Sequence, residues 1–158
     1  VELLLTVENP YPVDGMNSTE ERLKYYGLED DRIKILKFLD RKQYISLLQN
    51  ANVLISCARA EGWNLPLIEA MACGTPCVVT DVGDSAIIVD NAKLTVPPSN
   101  PKLLAKSLDW CLRNYDTFNA NYIRESIIKR FNVDNMVSLT ENSLRSVISN
   151  DLQILSKK

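Results

Sequence analysis

Two glutamates, Glu61 and Glu69, stand with seven residues between them in the stretch "AEGWNLPLIEA", where a loop passes into a helix. An ionised carboxylate has two acceptor oxygens and can bind two O–H donors at once, so it suits vicinal hydroxyls. Between the two lie Gly62, Trp63, Asn64, Leu65 and then Pro66, a residue that fits a first helical turn because its missing N–H would have no partner there. Free backbone N–H groups from Gly62 to Leu65, aided by the helix dipole, are expected to form an anion site suited to phosphate. A carboxylate on each side of a phosphate site describes two diols joined through phosphate, the outline of a nucleotide sugar. Spacing alone leaves a plainer reading open, in which Glu69 is a helix-start acid favoured by the dipole and Glu61 a solvated loop charge.

The elements that would position these groups follow from periodicity. "ELLLTV" reads as a strand, stopped by the turn-forming "ENPYPVDG". Ser18 precedes Glu21 at capping-box spacing and Gly27 is placed to end the helix between them. "RIKILKFL" alternates as a strand, and "DRKQYISLLQNA" carries Tyr44, Leu47, Leu48 and Ala51 at helical spacing. "NVLISCA" and "PCVVTDV" read as strands buried on both faces, on either side of a helix from about Pro66 to Cys73. "GDSAIIVDNA" is read as connection and "KLTVP" as a last strand; helices over "NPKLLAKSLDWCLRN", "TFNANYIRESIIKRF" and "NVDNMVSLTENSLRSVISNDL" finish the chain. Strands alternating with helices predict an α/β fold, a Rossmann-like doubly wound parallel sheet with a helical C-terminus, as one domain over residues 1–158. Ligands of such sheets bind at the carboxyl ends of strands, where "CARAEGWNLP" falls.

The bulk composition excludes more than it selects. The 18 basic and 20 acidic residues give a net charge of -2 without a block of either sign, which provides no footprint for nucleic acid or an anionic membrane. Cys57, Cys73, Cys77 and Cys111 lack CxxC spacing and the chain has no histidine, so neither a zinc site nor an imidazole mechanism is expected. The cysteines are read as reduced, buried thiols and the location as cytoplasmic. Trp63 is read as a loop-anchoring aromatic, Trp110 as core, and Gly83 as serving the turn after "VVTD". The chain begins at Val1 with a strand already under way, so it is expected to be a piece of something longer.

"EGWNLPLIEAMACGTPCVVTDVG" resembles the signature of retaining GT-B glycosyltransferases (glycosyltransferase family 4, glycosyl transferases group 1 type), whose C-terminal, donor-binding domain carries a Glu, seven residues, then a Glu. "RIKILKFLDRKQYISLLQNANVLIS" and "KLTVPPSNPKLLAKSLDWCLRN" resemble the flanking segments, so the likeness covers about residues 1–135. It implies the C-terminal half of a GT-B fold and transfer of a sugar from a nucleotide diphosphate sugar to a glycan, lipid or small-molecule acceptor. By the resemblance, Glu61 is the catalytic-site carboxylate that holds donor-sugar hydroxyls. The backbone at Gly62, Trp63, Asn64 and Leu65 approaches the sugar and diphosphate, Glu69 binds the ribose diol, and Lys37, Phe38 and Leu39 are candidates for the base. No cofactor and no metal are expected, only the nucleotide sugar as donor substrate. The resemblance also implies that the donor phosphate helps deprotonate the acceptor and that no protein nucleophile is required.

Asn64 stands where the family usually has Gly; should the position need a left-handed backbone, Asn is the best substitute. Lys37 replaces a frequent Gly and Ile87 a frequent Glu. The family's diphosphate-neutralising Arg and Lys, and its N-terminal acceptor domain, would lie upstream of these residues. The fragment by itself is therefore expected to bind nucleotide weakly and not to turn over, and any peripheral membrane contact would come through the missing half. The alternative is a non-catalytic nucleotide-sugar-binding module on the same fold. A flavodoxin-like signalling or redox domain would need paired aspartates or a cofactor loop that the chain lacks.

Overall fold

A computed structural model describes residues 1–6 and 15–155, with side chains through residue 148. Parallel strands alternate with helices and the C-terminus is helical, as expected. The chain divides into two compact units, Val1–Ser46 and Leu47–Lys158. The turn expected over residues 8–15 lies, apart from Gly15, outside the described residues.

In the first unit β1 (Leu3–Leu5) pairs in parallel with β2 (Ile33–Ile35), Leu3 opposite Ile33 and Leu5 opposite Ile35. Between them α1 (Thr19–Tyr25) starts on Ser18, whose hydroxyl accepts from Glu21 N at 3.1 Å, while the Glu21 carboxylate accepts from Asn17 N at 2.6 Å. It ends as Gly27 turns to φ 64, with Gly27 N donating to Lys24 O and Leu28 N to Leu23 O, so that two last-turn carbonyls are satisfied. The strand expected over residues 32–39 is shorter. The ladder ends with Leu36 N donating to Leu5 O, and Phe38 then takes φ 54, which turns the chain out of extended geometry. The helix α2 (Arg41–Asn50) follows, and the boundary between the units falls within it. Asp40 and Gln43 cap its start reciprocally, at 2.8 and 2.9 Å.

In the second unit β3 (Leu54–Ser56), β4 (Cys77–Thr80) and β5 (Thr95–Val96) form a parallel sheet in that order, with Leu54 opposite Cys77 and Val79 opposite Thr95. β4 is buried along its whole length, as the run "PCVVTDV" predicts. β3 is only half-buried, against expectation, because it is an edge strand of this sheet, and the following Cys57 is exposed rather than buried. The helix α3 (Leu65–Ala72) buries Leu67, Ala70 and Met71, and packs on β3, β4 and the later helix α6 (Ala120–Arg130). A short helix, α4 (Ser85–Val89), occupies the segment read as connection and buries Ile88 and Val89. Its β-branched composition gives little helical signal, and tertiary burial overrides it.

The helix α5 (Pro101–Arg113) covers β4 and β5 with Ser107 and Cys111 buried, and the Ser107 hydroxyl donates to Lys93 O at 2.6 Å. Trp110 is half-buried instead of core, with Lys93 Nζ 4.7 Å from its ring centroid. After α6, α7 (Val133–Leu155) closes the chain. Three of these helices start on an asparagine whose side-chain oxygen accepts an N–H three residues on: Asn100 from Leu103, Asn119 from Tyr122 and Asn132 from Asn135.

Candidate functional site

The segment 57–64 leaves the carboxyl end of β3 and enters α3, and it carries Glu61, Gly62, Trp63 and Asn64; Leu65 opens the helix and Glu69 lies in its second turn. These six residues are therefore brought together on one junction of the second unit. Glu69 is one turn beyond exposed Leu65, whereas Leu67, Ala70 and Met71 form the buried face. Lys37, Phe38 and Leu39 belong to the first unit. There Lys37 Nζ lies 2.8 Å from a Glu20 carboxylate oxygen, Phe38 is 95% exposed, and Leu39 is half-buried.

Asn64 fixes the junction. It is 4% exposed; its side-chain oxygen accepts from Leu67 N at 3.3 Å and its amide donates to Ser56 Oγ at 2.9 Å. One side chain thus caps α3 and ties it to the last residue of β3. Its φ is -82, so the left-handed backbone considered for this position is not used, and Asn stands here for its two hydrogen bonds. Pro66 falls within the first turn as expected.

The four free N–H groups expected from Gly62 to Leu65 are not all free. Gly62 N donates to Glu61 Oε1 at 3.0 Å and Leu65 N to Trp63 O at 3.0 Å. Among the described residues no hydrogen-bond partner is found for the N–H of Trp63 or Asn64, two donors at the helix start. The exposed Glu61 carboxylate keeps its second oxygen and spare lone pairs for hydroxyl donors. Trp63, 47% exposed, packs edge-on against Phe131 at a centroid distance of 5.5 Å, in agreement with an anchoring role.

Three supports of this junction carry no signal in local sequence. Thr80 Oγ1, at the end of β4, donates to Ala58 O at 2.7 Å. Gly83, read from sequence as a turn residue, backs directly onto the Glu61–Gly62 peptide: a Cβ built there would overlap the Glu61 carbonyl oxygen and lie 2.8 Å from that of Gly62. Phe131, the third, reaches Trp63 from the end of α6. Arginines of α6 also satisfy helix ends nearby, Arg124 Nη1 donating to Ala72 O at 2.7 Å and Arg130 to Ile87 O and Ile88 O.

Burial pushes the Cys77 thiol well above its ordinary range and that of Cys111 up to about 11, so both are protonated at neutral pH. None of the four cysteines forms a disulfide. Among the described residues no group of three or more His, Cys, Asp or Glu is placed to hold a metal ion, and no helix is long and apolar enough to cross a membrane.

Parallel strands alternating with helices match the fold of GT-B glycosyltransferases. The glycosyl transferases group 1 family matches residues 14–129, well over half of the chain, and the chain belongs to that family. It is 28% identical over 118 residues to an uncharacterised glycosyltransferase of Methanocaldococcus jannaschii, a match covering 70% of this chain and 30% of the relative. Among solved structures it is similar to sucrose-phosphate synthase from Thermosynechococcus elongatus, with a TM-score of 0.73 and 26% identity over 94% of this chain and 39% of the synthase. It shares its fold with Anabaena HepE in complex with UDP, with a TM-score of 0.65 and 24% identity over 80% of this chain and 35% of that one. The chain spans well under half the length of each of these proteins.

Proposed function

We propose that this chain is the donor-binding part of a longer retaining glycosyltransferase, which moves a hexosyl unit from a nucleotide diphosphate sugar to a glycan, lipid or small-molecule acceptor. The observation that carries the reading is the Glu61-to-Glu69 junction, held by buried Asn64 at the carboxyl end of β3 in a chain of the glycosyl transferases group 1 family. Glu61 is the catalytic-site carboxylate and takes hydroxyls of the donor sugar. The Trp63 and Asn64 N–H groups, at the start of α3, face the diphosphate, with Gly62 and Leu65 flanking it. Glu69 accepts both O–H donors of the ribose diol. Lys37, Phe38 and Leu39 contribute to the base site.

In sugar transfer at this centre the donor phosphate takes the acceptor's proton in place of a protein base, and no protein nucleophile and no metal are invoked. The acceptor domain, and the cations that neutralise the diphosphate, belong to the rest of the longer protein, in the cytoplasm. Relatives support the class of ligand: HepE structures hold UDP, UDP-glucose, and UDP with glucose.

The reading is tested by titrating UDP, GDP and ADP and their glucose conjugates against the chain, following Trp63 fluorescence, with Glu69→Ala as control. Weak, saturable binding of one series is expected, lost about tenfold or more in the variant, the worth of one charge-assisted hydrogen-bond pair. Equal binding by both proteins would discard the ribose role of Glu69, and no binding of any of the six at millimolar concentration would discard the donor-domain reading.

A further inference from the structure

Two groups from the carboxyl end of β4 and the turn after it hold the loop that carries Glu61. Thr80 Oγ1 bonds Ala58 O, and Gly83, at φ 54, abuts the Glu61–Gly62 peptide without an intervening side chain. Gly83 satisfies two separate demands. The left-handed backbone is open to Gly and, at modest cost, to Asn. The missing Cβ is a demand that only glycine meets, since a Cβ here would sit inside the 3.0 Å that real Cβ contacts essentially never cross.

We infer that Gly83 is a positioning residue for Glu61, setting where that carboxylate stands and hence how tightly the sugar half of a nucleotide sugar is held. This rests on the donor-sugar role given to Glu61 above. Any side chain at position 83 must push the Glu61–Gly62 peptide outward by about half an ångström, the tolerance within which a binding group remains productive. The carboxylate moves with it, because Gly62 N donates to Glu61 Oε1 within that same peptide unit. Glu69 is insulated from this shift. It stands on α3, which is anchored by its buried face and by the bond from Asn64 to Ser56. The sugar and nucleotide halves of the donor should therefore respond differently to substitution at residue 83.

The test compares affinity for a nucleoside diphosphate with affinity for its glucose conjugate, using whichever of the UDP, GDP or ADP pairs the unmodified chain binds. Calorimetry gives the ratio and a thermal melt reports the fold, for Gly83→Ala, Gly83→Asn, Glu61→Ala and the double variant Glu61→Ala/Gly83→Ala. Both Gly83 variants are expected to lower the sugar-to-nucleotide ratio about tenfold, with a smaller loss of nucleotide affinity because Gly62 flanks the diphosphate. Asn should recover much of the melting temperature that Ala loses, but none of the ratio, so it carries the test even if the Ala variant does not fold. In the Glu61→Ala background, Gly83→Ala should change the ratio no further.

Recovery of the ratio by Asn, equal losses for both ligands, or a further loss in the double variant would each overturn the inference. A lowered ratio in Glu61→Ala with an unchanged one in the Gly83 variants would overturn it alone and leave the Glu61 reading intact. An unchanged ratio in Glu61→Ala, or no binding by the unmodified chain, would remove that reading and this inference with it.

Discussion

The junction from β2 into α2 and the junction from β3 into α3 each lead from a parallel strand into a capped helix, and each carries candidate donor-binding residues. They are held in opposite ways. At the first, Lys37 is steadied by Glu20 on the surface, the cap is exposed Asp40 with Gln43, and Phe38 takes a left-handed backbone with its ring in solvent. At the second, a single buried asparagine bonds both the strand and the helix, a glycine backs the loop, and an aromatic pair pins its outer side. Exposed charge pairs contribute little and are screened by salt, whereas buried satisfied polar groups are costly to disturb. The Glu61-to-Glu69 junction is thus built beforehand at a fixed geometry, as a site for hydroxyl and phosphate recognition requires. The Lys37-to-Leu39 segment is held by an exposed ion pair and by the exposed cap that follows it.

The largest expected difference between the two junctions comes from removing their caps. Asn64→Ala strips α3 of its cap and leaves the Ser56 hydroxyl without its donor in a part-buried setting, at a cost of about 2–3 kcal/mol. Asp40→Ala removes only an exposed cap and should cost about 1 kcal/mol. Urea melts with a common m-value measure both; equal costs would show that burial of the second junction adds nothing. Phe38→Gly should have the smaller and opposite effect, a gain of about 0.5 kcal/mol, because relief of the left-handed backbone slightly exceeds the entropy glycine forfeits. A loss of stability there would mean that the Phe38 ring has a packing role in the fold.

The smallest effect is electrostatic and falls on the first unit. Lys34, Lys37 and Arg32 hold the carboxyl groups of Glu2, Glu20 and Asp30 below their ordinary ranges. Each pair contributes its stabilisation above the ordinary carboxyl pKa and loses it as pH falls through the lower, folded-state value. The pairs are fully exposed, so the effect is modest and sensitive to salt. Amide exchange along β1 and β2, normalised to the unfolded chain at each pH, should accelerate below about pH 4, while β4 holds its protection. Equal loosening of β4 would contradict the contrast.

What the sequence made legible at these junctions is what is encoded locally. The Glu61-to-Glu69 interval, Pro66 in the first turn, the all-apolar run of β4 and the Gly27 stop are each written within one or two helical turns of chain. The early end of β2 is hidden because "RIKILKFL" stays rich in apolar residues through residue 39, and only the backbone angle at Phe38 reveals the turn. Asn64 suggests by its type a left-handed backbone that it does not adopt. Its actual role needs Ser56, eight residues away across a loop. Gly83 reads as an ordinary turn glycine because its contact with Glu61 depends on where two neighbouring strands end, and no local pattern records that. The use of Gly62 N by the Glu61 carboxylate was likewise invisible, since spacing shows which donors could be free and not which are taken.

The central claim is that Glu69 reads the ribose of a nucleotide from the second turn of a prebuilt helix. It is tested most directly by measuring the affinity of a nucleoside diphosphate and of its 2′,3′-dideoxy analogue for the chain and for Glu69→Ala. The account predicts that the chain prefers the ribose form about tenfold and that the variant binds the two forms equally, at the level of the dideoxy analogue. A preference that survives in Glu69→Ala, or an absence of preference in the chain itself, would contradict it.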